Sequence, residues 1–167
     1  VFYAAERPEI AVAEMAFYRL LFFAESPATP WPDDAAEYTA FAAAIASDRC
    51  LDLTIPPLDR DARVWSDLIR YDACQALAER AREAEITLLR YGSVRDPDHG
   101  MALAILSCSA FAEPAPIERR TWRMRLSRHG VQALCEFPVV RLEFGRGTFV
   151  DDPRIAGQRR RLAFERD

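Results

Sequence analysis

Histidine and cysteine are both scarce in this chain. The two histidines, His99 and His129, and the four cysteines, Cys50, Cys74, Cys108 and Cys135, are widely separated, and no CxxC occurs. That spacing does not make a zinc site, so no metal is expected and the thiols read as core residues in a reducing cytosol. Neither GxxxxGKS/T nor GxGxxG is present, which disfavours the two best-known nucleotide-binding folds. No apolar run nears membrane-spanning length and no signal peptide is visible, so the expected location is cytoplasmic, with no membrane partner. Positive charge is not in excess either: the formal net charge is −4 and the pI about 5.3. A protein that grips phosphate backbones normally carries a basic stripe, so direct nucleic-acid binding is disfavoured. The chain opens at Val1 rather than at methionine, already in strand-like sequence, and a natural N-terminal stretch is expected before it.

What is present is an ordinary globular composition, half apolar and 29% charged over 167 residues, which fits a single domain with a real core. Val1 to Ala5 reads as a strand. Pro8 and Glu9 suit the first turn of a helix, and Ala13, Ala16, Phe17, Leu20, Leu21 and Ala24 then recur at helical spacing. Ser26 to Asp34 is a proline-rich loop. Tyr38 to Ile45 is ambiguous, since its alanines favour helix but a buried strand looks similar, and Cys50 to Ile55 alternates like a strand. A second helix follows Asp72, a candidate cap, with Cys74, Leu77, Ala78, Ala81 and Ala84 as its stripe. Ile86 to Tyr91 and Met101 to Leu106 read as buried strands around a turn-rich loop. Three more strands close the pattern, Thr121 to Leu126, Val131 to Phe137 and Val139 to Phe144, with His129-Gly130 as a hairpin turn. Two early helices and roughly six short strands without regular βαβ alternation predict an α+β fold. A basic tail, 154–167, is expected to be exposed around Gly157 to Arg161.

Three places could carry chemistry. Glu14 lies midway along an apolar helical run; it is either a solvent-facing glutamate on an amphipathic helix or a carboxylate projecting into a cleft at the sheet edge. The segment Tyr91 to Pro97 follows a buried strand, where binding groups often sit, although Asp96-Pro97 also suits a purely structural turn with Arg95 paired to Asp96 or Asp98. Ser93 has only His99 nearby in sequence, which makes a Ser–His hydrolase a weak reading. Arg123 and Arg125 alternate with Trp122, Met124 and Leu126, the pattern of a solvated strand face.

Taken in order, these segments resemble the RES domain, a family named for its Arg, Glu and Ser. Val1-Phe2-Tyr3-Ala4-Ala5 followed by Ala11-Val12-Ala13-Glu14 is similar to the family's opening, Y-x-A then T-A-x-x-E. Trp65 with Tyr71 to Ala78 resembles its central helix, and Tyr91-Gly92-Ser93-Val94-Arg95 its Y-x-S-x-R loop. Gly100 to Phe111 follows as the family's next strand does. The motif-bearing part is 1–111, with C-terminal strands over 117–150. The family's first arginine normally precedes the opening strand; Arg7 follows that strand and is not its counterpart.

The resemblance implies one domain over 1–167, a split β-structure with flanking helices similar to mono-ADP-ribosyltransferases, and NAD⁺ as substrate without a metal. It implies Glu14, Ser93 and Tyr3 as catalytic residues, with Arg95 and Tyr91 binding the dinucleotide. The activity implied is that of a bacterial toxin that cleaves the nicotinamide–ribose bond and passes ADP-ribose to water or phosphate. The alternative is mono-ADP-ribosylation of a host protein, such as an enzyme of nucleotide biosynthesis. The family also implies a helix-turn-helix antitoxin that covers the cleft, through which alone the toxin would meet DNA.

Overall fold

The computed structural model describes residues 1–155. In chain order its elements are strand β1 (Phe2–Ala5), helix α1 (Pro8–Glu25), strands β2 (Ala36–Ala42) and β3 (Cys50–Asp52), a 3-10 turn (Leu58–Asp61) running into the short helix α2 (Ala62–Trp65), helix α3 (Asp72–Glu83), strands β4 (Leu88–Gly92) and β5 (Met101–Ile105), and strands β6 (Glu118–Ser127), β7 (Gly130–Cys135) and β8 (Val140–Gly145). The fold is α+β, with two four-stranded sheets, β1-β5-β4-β3 and β2-β6-β7-β8. Two compact units interleave along the chain: Val1–Ala11 with Phe41–Arg119, and Val12–Ala40 with the described residues from Arg120 on. The expected tail from Gly157 to Arg161 lies outside the described residues.

In the first unit β5 pairs antiparallel with both β1 and β4, and β3 runs parallel to β4. Side chains alternate across a sheet, so the register sorts its two faces. Leu89, Tyr91 and Ala104 face α3 and cluster there with Leu77, Ala78 and Ala81. Leu88, Leu103, Ile105 and Ala4 point the other way, onto Ile45, Ala110 and Phe111. Asp72 is the first residue of α3 rather than its cap; Tyr71 holds the cap position and makes no side-chain capping bond. The strand expected to reach Ile55 stops at Asp52, because the Asp52 carboxylate accepts the Thr54 N–H at 2.8 Å and its hydroxyl at 2.5 Å, turning the chain.

In the second unit the expected stripe of α1 is its core. Ala13, Ala16, Phe17, Leu20 and Leu21 are buried with Trp122, Met124, Leu126, Val131, Ala133 and Phe144 of the sheet. Each large apolar side chain so placed contributes ~1.5–3 kcal/mol. The ambiguous stretch after Tyr38 is strand β2, whose Tyr38 and Ala40 pack against this core. Ser127 pairs with Gly130, so Arg128-His129 forms the hairpin loop and Gly130 sits at φ 149°, where a side chain would strike the Phe144 carbonyl. Arg123 faces solvent and pairs with Glu136 at 3.3 Å, as a solvated strand face requires. Arg154, at the head of the expected basic tail, pairs with buried Asp152 at 2.8 Å and lies over the Phe17 ring.

The cysteines correct the sequence reading. Cys135 is buried and Cys74 partly so, but Cys50 and Cys108 are exposed. Cys50 lies on β3, the last strand of its sheet, and Cys108 opens a 3-10 turn after β5, so neither position is closed over by core.

Candidate functional site

Three candidate residues share one face of the first sheet. Tyr3 lies opposite Ala104 and Leu89, and Ala5 opposite Ala102 and Tyr91. The Ser93 N–H continues the ladder by donating to the Gly100 carbonyl at 2.9 Å. Tyr3, Tyr91 and Ser93 therefore point to the same side, with small alanines between them. Tyr3 is on an edge strand and 70% exposed. Tyr91 is half-buried against the α3 cluster.

The loop after Tyr91 is built around Ser93, which is fully buried. Its hydroxyl oxygen accepts the backbone N–H groups of Arg95 at 3.2 Å and Asp96 at 3.1 Å, a local turn of the kind serine favours. Asp96 accepts the Gly100 N–H at 2.8 Å, and His99 donates its own N–H to the Asp96 carbonyl at 3.0 Å. His99 adopts φ 51° and its Nδ1 bonds the Ser93 carbonyl at 3.1 Å. A carbonyl only accepts, so Nδ1 carries the proton, and the imidazole addresses the backbone of Ser93, not its hydroxyl. The Ser–His arrangement is therefore not formed.

Arg95 is buried as well, at 5% exposure, and ties this loop to the segment before α3. Its Nη2 donates to the Leu68 carbonyl at 2.9 Å and meets the Tyr71 hydroxyl at 3.5 Å, while Tyr71 itself donates to Leu68. Trp65 steadies the same segment through its indole N–H to the Leu58 carbonyl at 3.0 Å. Arg95 thus bonds Leu68 and Tyr71, and Asp96 serves Gly100.

Glu14 belongs to the second unit. An α-helix turns about 100° per residue, which puts Glu14 on the border between the buried stripe and the solvent face of α1. It is half-buried, between fully buried Ala13 and half-exposed Met15. The plainly solvent-facing glutamate is therefore not what is found.

A further cluster escaped the sequence reading. Arg90 donates from Nε to Glu6 at 2.7 Å and from Nη1 to Asp52 at 2.6 Å, joining the turn after β1 to β3 and β4. These bonds, the one to Glu6 foremost, raise the guanidinium above its ordinary pKa. For Asp52 burial alone would raise the carboxyl, but the hydrogen bonds from Thr54 and Arg90 outweigh it and hold it below the ordinary range. An arginine inside the apolar run Ile86 to Tyr91 was the available signal, since a cation there needs partners.

The RES domain family matches residues 1–127, and the chain belongs to that family. RES domains are associated with NAD-utilising, toxin-like proteins. No curated protein sequence matches the chain. Tyr3, Glu14, Tyr91, Ser93 and Arg95 all fall within the matched residues. Among the described residues no helix is long and apolar enough to cross a membrane.

Proposed function

We propose that this chain is the toxin of a bacterial toxin–antitoxin pair, cleaving the nicotinamide–ribose bond of NAD⁺ and passing ADP-ribose to water or inorganic phosphate. The observation that carries the reading is that one RES-domain match spans every candidate residue. The fold belongs with the mono-ADP-ribosyltransferases on this reading, and no metal takes part.

The residue types suit the chemistry. Nicotinamide leaves C1′ of its ribose as a neutral ring, and the sugar takes on oxocarbenium character. The Glu14 carboxylate stabilises that positive charge and accepts a hydrogen bond from a ribose hydroxyl, as carboxylates do in glycoside cleavage. Tyr3, exposed at the sheet edge, offers a ring to the nicotinamide, with Tyr91 two strands away on the same face. Ser93 shapes the loop that carries Arg95, and a planar guanidinium matches phosphate oxygens. The partner on this reading is a helix-turn-helix antitoxin whose terminal segment blocks NAD⁺ entry; DNA is met only through it.

The test is nicotinamide release from NAD⁺, with and without phosphate, beside Glu14→Ala. Release that disappears in the variant supports glycosidic cleavage, and dependence on phosphate separates phosphorolysis from hydrolysis. Absence of release under both conditions overturns the reading, and labelled NAD⁺ with a host lysate then tests a protein acceptor.

A further inference from the structure

We propose that the first sheet carries a second binding site, at the end away from the Ser93 loop, for a small sugar phosphate. The inference is independent of the NAD⁺ reading.

The Ser93 loop leaves the C-terminal end of β4 and returns at the start of β5. A cavity of about 460 Å³ opens at the opposite end, where Arg49 leads into β3, Thr87 leads into β4 and Ser107 follows β5. These segments are tied together at its base. The Thr87 N–H donates to the Arg49 carbonyl at 2.9 Å, and the Ser107 N–H to the Thr87 carbonyl at 3.2 Å. The length of β4, about 16 Å at the usual rise per residue, separates the cavity from the Ser93 loop. A volume of this size suits a small metabolite.

Glu85, which lines the cavity, is the observation that points to a ligand. It follows the end of α3 at φ 57°, with its own N–H on the Arg82 carbonyl and the Ile86 N–H on the Ala81 carbonyl. A helix ending of this kind ordinarily takes glycine, because a side chain in the left-handed region strains the backbone. Glu85 instead sends its carboxylate to Arg49 at 2.6 Å, and the two side chains are 76% and 52% exposed. An ion pair that exposed adds little stability, less than a left-handed conformation takes away from a residue with a Cβ. Stability therefore does not account for a glutamate there, and strained residues concentrate at ligand sites.

The lining then sets the ligand. Arg82, exposed in the last turn of α3, has no side-chain partner among the described residues, and a planar guanidinium suits a phosphate group. Asp48 and Glu85 balance Arg49 and Arg82 in charge, so a bare anion gains little net attraction. What the two carboxylates can accept is the protons of hydroxyl groups. Ser107 and Ser109 bond each other through their hydroxyls at 2.9 Å, which leaves one O–H of the pair to donate. A phosphate carried on a polyhydroxyl body engages all of these groups. Inorganic phosphate and an uncharged sugar each engage only part of them.

The experiment is calorimetric titration of the full chain with ribose 5-phosphate, ribose and inorganic phosphate, beside thermal melts without ligand. Ribose 5-phosphate should bind saturably and more tightly than either of the others. Arg82→Ala should weaken it about tenfold or more, the scale of a lost charge-assisted hydrogen bond. Glu85→Gly should weaken it similarly and yet raise the melting temperature, since glycine relieves the left-handed strain. Glu14→Gln should leave the titration unchanged. Absence of saturable binding overturns the inference, as does inorganic phosphate binding as tightly as ribose 5-phosphate. Binding that survives Arg82→Ala places the ligand elsewhere and overturns it too. A Glu85→Gly melt below wild type makes Glu85 a structural residue and removes the observation on which the site stands.

Discussion

The Asp96 carboxylate accepts the backbone N–H of Gly100 at 2.8 Å, and the four-residue loop between Ser93 and Asp96 is thereby locked to the start of β5. Gly100 can be approached this closely only because it lacks a side chain. A Cβ there would lie 2.8 Å from the Asp96 oxygen and would run into the Ile10 side chain, which is itself buried. Gly100→Ala should therefore destabilise the protein by ~1–3 kcal/mol, the usual cost of overpacking. A thermal melt several degrees below wild type is the expected result; an unchanged melt would mean that Ile10 yields freely.

Ser93→Ala and Glu14→Gln should part company when activity and stability are measured together. Alanine at 93 leaves the N–H groups of Arg95 and Asp96 without their acceptor in a buried turn, at a cost of ~1–3 kcal/mol. Nicotinamide release should fall along with the melting temperature. Glutamine at 14 keeps size and hydrogen bonding but not charge, so release should fall by about 10²–10³ with the melt unchanged. Equal loss of stability in both variants would remove the distinction.

The Arg90 cluster should make stability fall in acid in a defined way. Asp52 has a lowered folded pKa, so its contribution is fully present above the ordinary carboxylate value of 3.8 and is lost as pH falls through the lower folded value. Asp52→Asn should melt lower than wild type at neutral pH and show a shallower decline in acid. Arg90→Met removes a cation that helps to hold Asp52 low, so it too should melt lower at neutral pH and decline less steeply in acid. Melts across an acid titration check both.

Thiol labelling should rank the cysteines by burial. Cys108 is exposed and should react first. Cys50 is also exposed, but burial of its sulfur and the charge of Asp52 raise its pKa, with Arg90 opposing, so it should follow more slowly. Cys74, raised by burial, comes third, and Cys135 should label only on unfolding. Raising the pH should narrow the gap between Cys108 and Cys50. Fast labelling of Cys135 in the native protein would contradict the packing of the second unit.

Much of the fold is legible from periodicity, because α1 buries Ala13, Phe17, Leu20 and Leu21 at helical spacing and β6 alternates Trp122, Met124 and Leu126 inward. The loop around Ser93 is legible by its turn residues. The boundaries that went astray were set by tertiary partners: Asp52 ends its strand by capturing Thr54, and Tyr38 is drawn into a strand by the core it packs on. The same holds at the site. Pattern singled out Glu14 and Ser93, but that Ser93 serves two backbone N–H groups, and that Arg95 reaches Leu68 some 27 residues away in sequence, depends on folding the chain back on itself.

The pairing of β1 with β5 matches Phe2 to Ile105 and Ala5 to Ala102. A contact this distant in sequence cannot form on the ribosome until about a hundred residues have been made, several seconds of synthesis at ordinary rates. Through that interval the strand bearing Tyr3 waits without its partner, as an apolar edge in need of a chaperone or of speed. The sheet is then completed in one late step, and long-range closure of that kind is slow. The first sheet is at its most vulnerable just before β5 is made.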